Sequence, residues 1–215
     1  MSGAREEILG RIRTALRDVP REEQPEDVRV ERGYRRDGGE PLEAVIARFA
    51  ERTAEYRAEV ERVPKDALQA AVAHACERHA ARRLVVPAGV PAKARPEGIE
   101  LVPDEGLGAA DLDAIDGVLT GCAAAIADTG TIVLDAGPDQ GRRELTLVPD
   151  LHICIVPAER VVGSVPEGIA RVAGAVRDEQ RPITFISGPS ATSDIELRRV
   201  EGVHGPRKLV VLVVE

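Results

Sequence analysis

The chain is poor in the residues that build several common kinds of site. Aromatics make up 2% of its 215 residues and tryptophan is absent, which removes the base-stacking platforms of single-strand nucleic-acid binders and the aromatic cages that hold quaternary cations. Its three cysteines, Cys76, Cys122 and Cys154, stand far apart and are odd in number. They form neither a disulfide framework nor a CxxC metal motif, and are expected to be small buried residues. No G-x-G-x-x-G follows an apolar strand and no G-x-x-x-x-G-K-[ST] occurs, so the dinucleotide fingerprint and the P-loop are both missing. No stretch approaches the roughly 18 consecutive apolar residues of a membrane span, and no apolar N-terminal segment has the length of a secretion signal. A cytoplasmic protein without a membrane span is expected. The formal net charge of −8 argues against a general nucleic-acid surface, because phosphate binding is driven by Lys and Arg.

What remains is ordinary globular composition, 43% hydrophobic and 31% charged, enough for one core plus an extension. Ile8, Ile12 and Leu16 recur at four-residue spacing within 4–17, with Leu9 alongside, the stripe of a short amphipathic helix. A helix this short is marginal alone in water, so it packs either on its own domain or on a partner chain. Residues 21–40 hold seven acidic and five basic residues and end in Gly38 and Gly39, the composition of a solvated linker. The expected division is an N-terminal helix and charged linker over 1–40, then an α/β domain over 41–215.

Pro41 suits a helix start, and Leu42, Val45, Ile46, Phe49, Thr53, Tyr56, Val60 and Val63 trace one helical face, which predicts a long helix up to Pro64. A second helix follows over 64–79, with His74 and His79 lacking metal-ligand spacing. Apolar runs near 84, 100, 118, 132, 152, 184 and 210 read as strands, with helices over 107–115 and 166–176 between them. His152, inside the clearest strand, reads as a half-buried structural histidine, and 137–141 as a flexible loop. The pattern predicts a three-layer α/β sandwich with a mostly parallel or mixed sheet.

Two hydroxyl-rich stretches stand out. Asp128, Thr129, Gly130 and Thr131 form a turn before a strand, where hydroxyls and free amides can meet a carboxylate or phosphate. A plain tight turn fits equally well. The second is 183–206, ITFISGPSATSDIELRRVEGVHGP, in which an apolar strand breaks at Ser187, Gly188, Pro189 and Ser190. Ser193 and Glu196 have capping-box spacing, so a short helix starting near Asp194 is expected to point its free amides at Ser187, Ser190, Thr192 and Ser193. Asp194 either stabilises that helix start or accepts a proton, and Glu196 is a cap or a base. His204, between glycines, suits general acid/base work near neutral pH or a structural hydrogen bond. Of the adjacent Arg142 and Arg143, at most one can fork onto a ligand carboxylate; Arg143 is kept as the candidate. The two stretches are expected to meet in one pocket at the carboxyl edge of the sheet.

The segments IADTGTIVL, VPDLHICIVP, SGPSATSDIE and GVHGP, in that order, resemble the LUD domain of the lactate-utilization protein C family. The resemblance covers 42 to the C-terminus. It implies the fold of CoA transferases and ribose-phosphate isomerases, and a part in oxidising L-lactate to pyruvate alongside iron–sulfur partner proteins. It also raises Asp128, in the family's D/E-T-G-T loop, above a plain turn residue. Lactate oxidation needs an electron acceptor that side chains do not supply, so this chain is expected to carry no cofactor and its partners the iron–sulfur clusters. The role left to it is binding a small anionic ligand, structure, or an acid/base step. Two alternatives stand beside this one. An independent acyl- or phosphoryl-handling enzyme of the CoA-transferase type would act alone on a thioester or phosphosugar. A noncatalytic scaffold or regulatory module would keep its assembly's activity after substitutions in the site.

Overall fold

The computed structural model describes residues 2–20, 24, 30, 31, 33, 34, 38–189 and 205–215. It divides into two compact units, Met1–Tyr34 and Arg35–Glu215. In the first, helix α1 (Ser2–Ala15) holds Ile8, Leu9 and Ile12 of the expected stripe, with Ile8 and Ile12 exposed, ends before Leu16, and carries an Arg11–Glu7 ion pair one turn apart.

The second unit starts with α2 (Leu42–Glu55), β1 (Glu59–Val63), α3 (Leu68–Arg78), β2 (Arg83–Val86), β3 (Glu100–Pro103), α4 (Ala109–Asp113) and β4 (Gly117–Thr120). It continues with β5 (Ala124–Ile126), β6 (Thr131–Leu134), β7 (Leu151–Pro157), β8 (Val161–Val162), α5 (Val165–Glu179), β9 (Thr184–Ile186) and β10 (Lys208–Val214). Six strands form a sheet in the order β1-β10-β7-β4-β2-β3, parallel throughout. Its central strands β7 and β10 are nearly continuous apolar runs because both of their faces are covered.

Alternation along the strands sorts the layers. Val210, Leu212 and Val214 of β10, with Leu151, Ile153 and Ile155 of β7, pack toward Leu68, Val72 and Cys76 of α3. Leu209, Val211 and Val213, with Cys154 and Val156, face Val45, Ile46 and Phe49 of α2 and one face of a second sheet. That sheet has the order β8-β5-β6-β9, with β5, β6 and β9 antiparallel neighbours. Its outer face, Ala124, Ile126, Val133 and Val162, meets Val172 of α5. The result is a three-layer α/β sandwich built on a mostly parallel sheet. Among the described residues no helix is long and apolar enough to cross a membrane.

Three expectations are corrected. The helix expected over 41–63 ends at Glu55, and Glu59–Val63 is an edge strand paired with β10. Arg57 takes φ 67 and breaks the helix. Val60 and Val63, three apart, fit a helical face, but in the strand Val60 packs toward α2 and Val63 toward α3. The alanine-rich 124–126 and the two-residue 161–162 are strands, the first too poor in β-branched residues and the second too short to announce itself. The 137–141 loop is stapled, not loose: Gly89 N–H donates to Pro138 O at 2.9 Å and Gly121 N–H to Asp139 O at 2.8 Å.

Helix α5 begins at a capping box, where Ser164 donates to Glu167 Oε2 through its backbone N–H (2.7 Å) and its hydroxyl (2.9 Å). Ser164→Ala is expected to cost about 1 kcal/mol, read as a lower urea midpoint at an unchanged m-value.

Candidate functional site

Register brings the two hydroxyl stretches together. Ile126 pairs with Thr131, so 127–130 close a hairpin loop between β5 and β6. Ile186 pairs antiparallel with Ile132, which places Ser187 opposite Thr131. The Thr131 and Ser187 hydroxyls lie 2.7 Å apart, and Thr129 Oγ1 lies 2.7 Å from Thr131 Oγ1. Three hydroxyls sharing two contacts keep several lone pairs for a ligand, and one proton whenever Thr131 does not donate to the Thr129 carbonyl 3.4 Å away. The loop is anchored at its base by Ala127 N–H to Val162 O (2.9 Å) and Asp128 N–H to Gly163 O (3.0 Å).

The cluster does not lie at the carboxyl edge of the parallel sheet. Helix α2 runs antiparallel to β1, as the ion pair between Glu43 at its start and Arg62 near the strand's end shows. Its carboxyl end therefore stands beside the amino ends of the parallel strands, and the turn leans there. A Cβ on Gly130 would stand 2.6 Å from Arg52 C, and one on Gly188 2.7 Å from Tyr56 O. This helix end carries unpaired carbonyls and partial negative charge. It does not supply the anion-favouring field that a helix start would, and positive charge reaches the turn on a side chain.

Arg48 is that side chain. Its Nε is buried and stands 3.3 Å from Asp128 Oδ1 without completing a hydrogen bond. Its two terminal nitrogens fork onto Glu40, Nη1 to Oε1 at 2.8 Å and Nη2 to Oε2 at 2.6 Å. The sequence hid this arrangement, because an arginine on the polar face of an amphipathic helix looks like solvated surface.

The carboxyl edge is occupied by the 135–141 loop. Asp135 accepts from Arg181 at 3.1 Å, and its N–H donates to Gln140 Oε1 at 2.6 Å. Arg160 donates to Asp139 at 2.8 Å and to the Cys122 carbonyl. Beneath lie Cys122 and Cys154, free and fully buried. The Cys122 thiol and burial push Cys154 well above the ordinary thiol range; burial pushes Cys76 up to about 11. The Cys154 and Cys76 thiols stay protonated, which suits packing and not nucleophilic or metal-binding work. Among the described residues no group of three or more His, Cys, Asp or Glu is placed to hold a metal ion. His152 is wholly buried, not half-buried: Nε2 meets Thr120 Oγ1 at 2.8 Å and Nδ1 has no partner among the described residues.

Thus Asp128, Thr129, Gly130, Thr131, Ser187 and Gly188 come together. Arg143 does not join them; it lies in the short turn Arg143–Thr146, lining a small crevice with Thr146, Pro182 and Thr184. Its neighbour Arg142 forks onto Asp104. Ser190, Thr192, Ser193, Asp194, Glu196 and His204 lie outside the described residues, as does the short helix expected to begin near Asp194.

The profile of the LUD domain matches residues 108–214. Lactate utilization protein C of Deinococcus radiodurans is 52% identical over 171 residues, 79% of this chain and 79% of that one. Lactate utilization protein C of Bacillus licheniformis is 37% identical over 93 residues, 42% of this chain and 38% of that one. The crystal structure of a DUF162 family protein from Deinococcus radiodurans superposes with a TM-score of 0.72 at 44% identity, covering 82% of this chain and 99% of that one. With a relative of this identity over 79% of the chain, and the hydroxyl turn and both central strands inside the matched residues, the chain belongs to the LUD domain family.

Proposed function

We propose that this chain is the ligand-binding subunit of a cytoplasmic L-lactate utilization system, in which L-lactate is oxidised to pyruvate together with iron–sulfur partner proteins. The observation that carries the reading is the 52% identity, over 79% of both chains, to a lactate utilization protein C. Converting L-lactate to pyruvate removes two electrons and two protons, and the electrons need an acceptor that side chains do not provide. That work falls to the partners' clusters. This chain holds the small acid: Thr129, Thr131 and Ser187 present hydroxyls to its oxygens, and Asp128 faces the remainder. His204 is the acid/base candidate of this reading.

The test is growth on L-lactate in a host whose own lactate utilization protein C has been deleted. The wild-type chain restores growth. Thr131→Val and Ser187→Ala each remove one hydrogen bond to a charged ligand, about 1.5 kcal/mol, or roughly a tenfold loss of affinity. Each is expected to slow growth on L-lactate while growth on glucose and the melting temperature hold. Undiminished growth with both substitutions combined would remove the hydroxyl turn from the function.

A further inference from the structure

We propose that Arg48 takes the carboxylate of the ligand, and that Glu40 occupies the same guanidinium fork until the ligand arrives. This rests on the reading that the hydroxyl turn binds a small hydroxy acid, and it names the cation that site requires. Arg48 already makes the contact a carboxylate ligand would make, two parallel N–H···O bonds of 2.8 and 2.6 Å, but to a side chain of its own domain. Paired bonds of this kind are the geometry by which arginine selects carboxylates. Its buried Nε stands between the fork and Asp128 of the turn, 3.3 Å from Oδ1, with its hydrogen bond unmade. One guanidinium therefore joins the strap at 38–40 to the candidate site.

Neither the end of helix α2 nor the next arginine along it supplies this charge. Helix α2 ends at the turn with its negative pole, and Arg52, one turn beyond Arg48, is engaged with Glu55 at 3.0 Å. Glu40 and Asp128 already give Arg48 two carboxylate neighbours. A third beside the same single positive charge would leave the cluster at −2, so one must go. Asp128 is fixed by its backbone bond to Gly163 and by the hairpin. Glu40 follows Gly38 and Gly39, the latter at φ 61, and keeps 37% of its side chain exposed. A partly exposed ion pair on a segment jointed at Gly39 exchanges more easily than one fixed in a hairpin, and Glu40 is the one displaced. Glu40 is then a built-in competitor that sets how much acid is needed to fill the site.

Calorimetric titration of the full chain tests this, with L-lactate, with acetate as a bare carboxylate, and with L-lactamide, which keeps the hydroxyl and loses the charge. Glu40→Gln is expected to tighten L-lactate and acetate by about tenfold, the factor released if the strap holds the fork about nine times in ten. Arg48→Gln is expected to abolish binding of both acids, and L-lactamide to bind no variant. Because Arg48 also touches Asp128, Arg48→Lys serves as the folded control: it keeps the charge, loses the fork, and is expected to weaken L-lactate about tenfold at a wild-type melting temperature. Wild-type affinity in Glu40→Gln, or in Arg48→Lys, overturns the assignment. If Thr131→Val abolishes binding while both Arg48 variants bind normally, Arg48 is wrong and the site reading stands. If neither acid binds wild type or Glu40→Gln, both fall together.

Discussion

Between pH 7 and pH 4 the domain is expected to lose about 3 kcal/mol of stability to His152 alone. The side chain sits on central strand β7, wholly buried, and burial lowers its pKa to about 4 from the ordinary 6.5. The sign follows from which state takes the proton first. Above pH 6.5 the imidazole is neutral in the folded and unfolded chain alike, and contributes no pH dependence. Below it the unfolded chain binds a proton that the folded chain refuses, so stability falls by about 1.4 kcal/mol per pH unit until pH 4. Among the described residues only one ring nitrogen has a partner, Nε2 with Thr120. Protonation would put a second N–H in the buried interior, where an unpaired donor on a charged ring costs more than an unfilled lone pair. Urea unfolding at pH 7, 6, 5 and 4 on wild type and His152→Leu separates this from the acid sensitivity of the carboxylates. The variant is expected to start less stable, because Thr120 loses its partner, and to lose about one proton's worth less over the range. Parallel pH slopes in the two proteins would show that His152 does not carry the effect.

The same residue marks where the sequence stopped being legible. The nearly continuous apolar runs of β7 and β10 mark central parallel strands, since strands covered on both faces are apolar at almost every position. The runs 83–86, 100–103 and 117–120 were legible for related reasons. Side-chain burial within such a run is a different matter. A histidine between apolar residues reads the same whether it is half or wholly buried, and only the cover supplied by α2 and the second sheet decides. The strand β1 was misread because Val60 and Val63, three apart, fit a helical face, and its place beside β10 depends on a partner some 150 residues away. At the site, the hydroxyl pattern named Thr131 and Ser187, and sheet register brought them together. What composition could not show was which end of the sheet they occupy, since that is set by the direction of α2. Arg48 and Glu40 escaped for a similar reason: their meaning lies in a contact between a linker and a helix face, and each alone has the look of solvated charge.

Gly130→Ala is expected to cost about 2 to 5 kcal/mol, and to remove ligand binding with it. Two terms add. Gly130 has φ 59, a left-handed conformation that costs a residue with a Cβ about 1 to 2 kcal/mol. The new Cβ would then stand 2.6 Å from Arg52 C, 2.7 Å from Thr53 N and 2.9 Å from Arg52 O. All three are backbone atoms of α2, which buries Phe49 and Thr53 against the sheets and cannot step aside. Forcing an extra carbon into such a contact costs about 1 to 3 kcal/mol. Gly98→Ala isolates the first term, because Gly98 has φ 76 and open space where its Cβ would go; it is expected to lose only about 1 to 2 kcal/mol. The difference between the two, measured by urea unfolding, is the contact with α2. If the hairpin lifts to relieve it, Thr131 leaves Ser187 and Asp128 leaves Arg48. Calorimetry on the still-folded fraction should then find no L-lactate binding. A Gly130→Ala protein as stable as Gly98→Ala, with its ligand affinity intact, would mean that the turn does not depend on its seat against the helix.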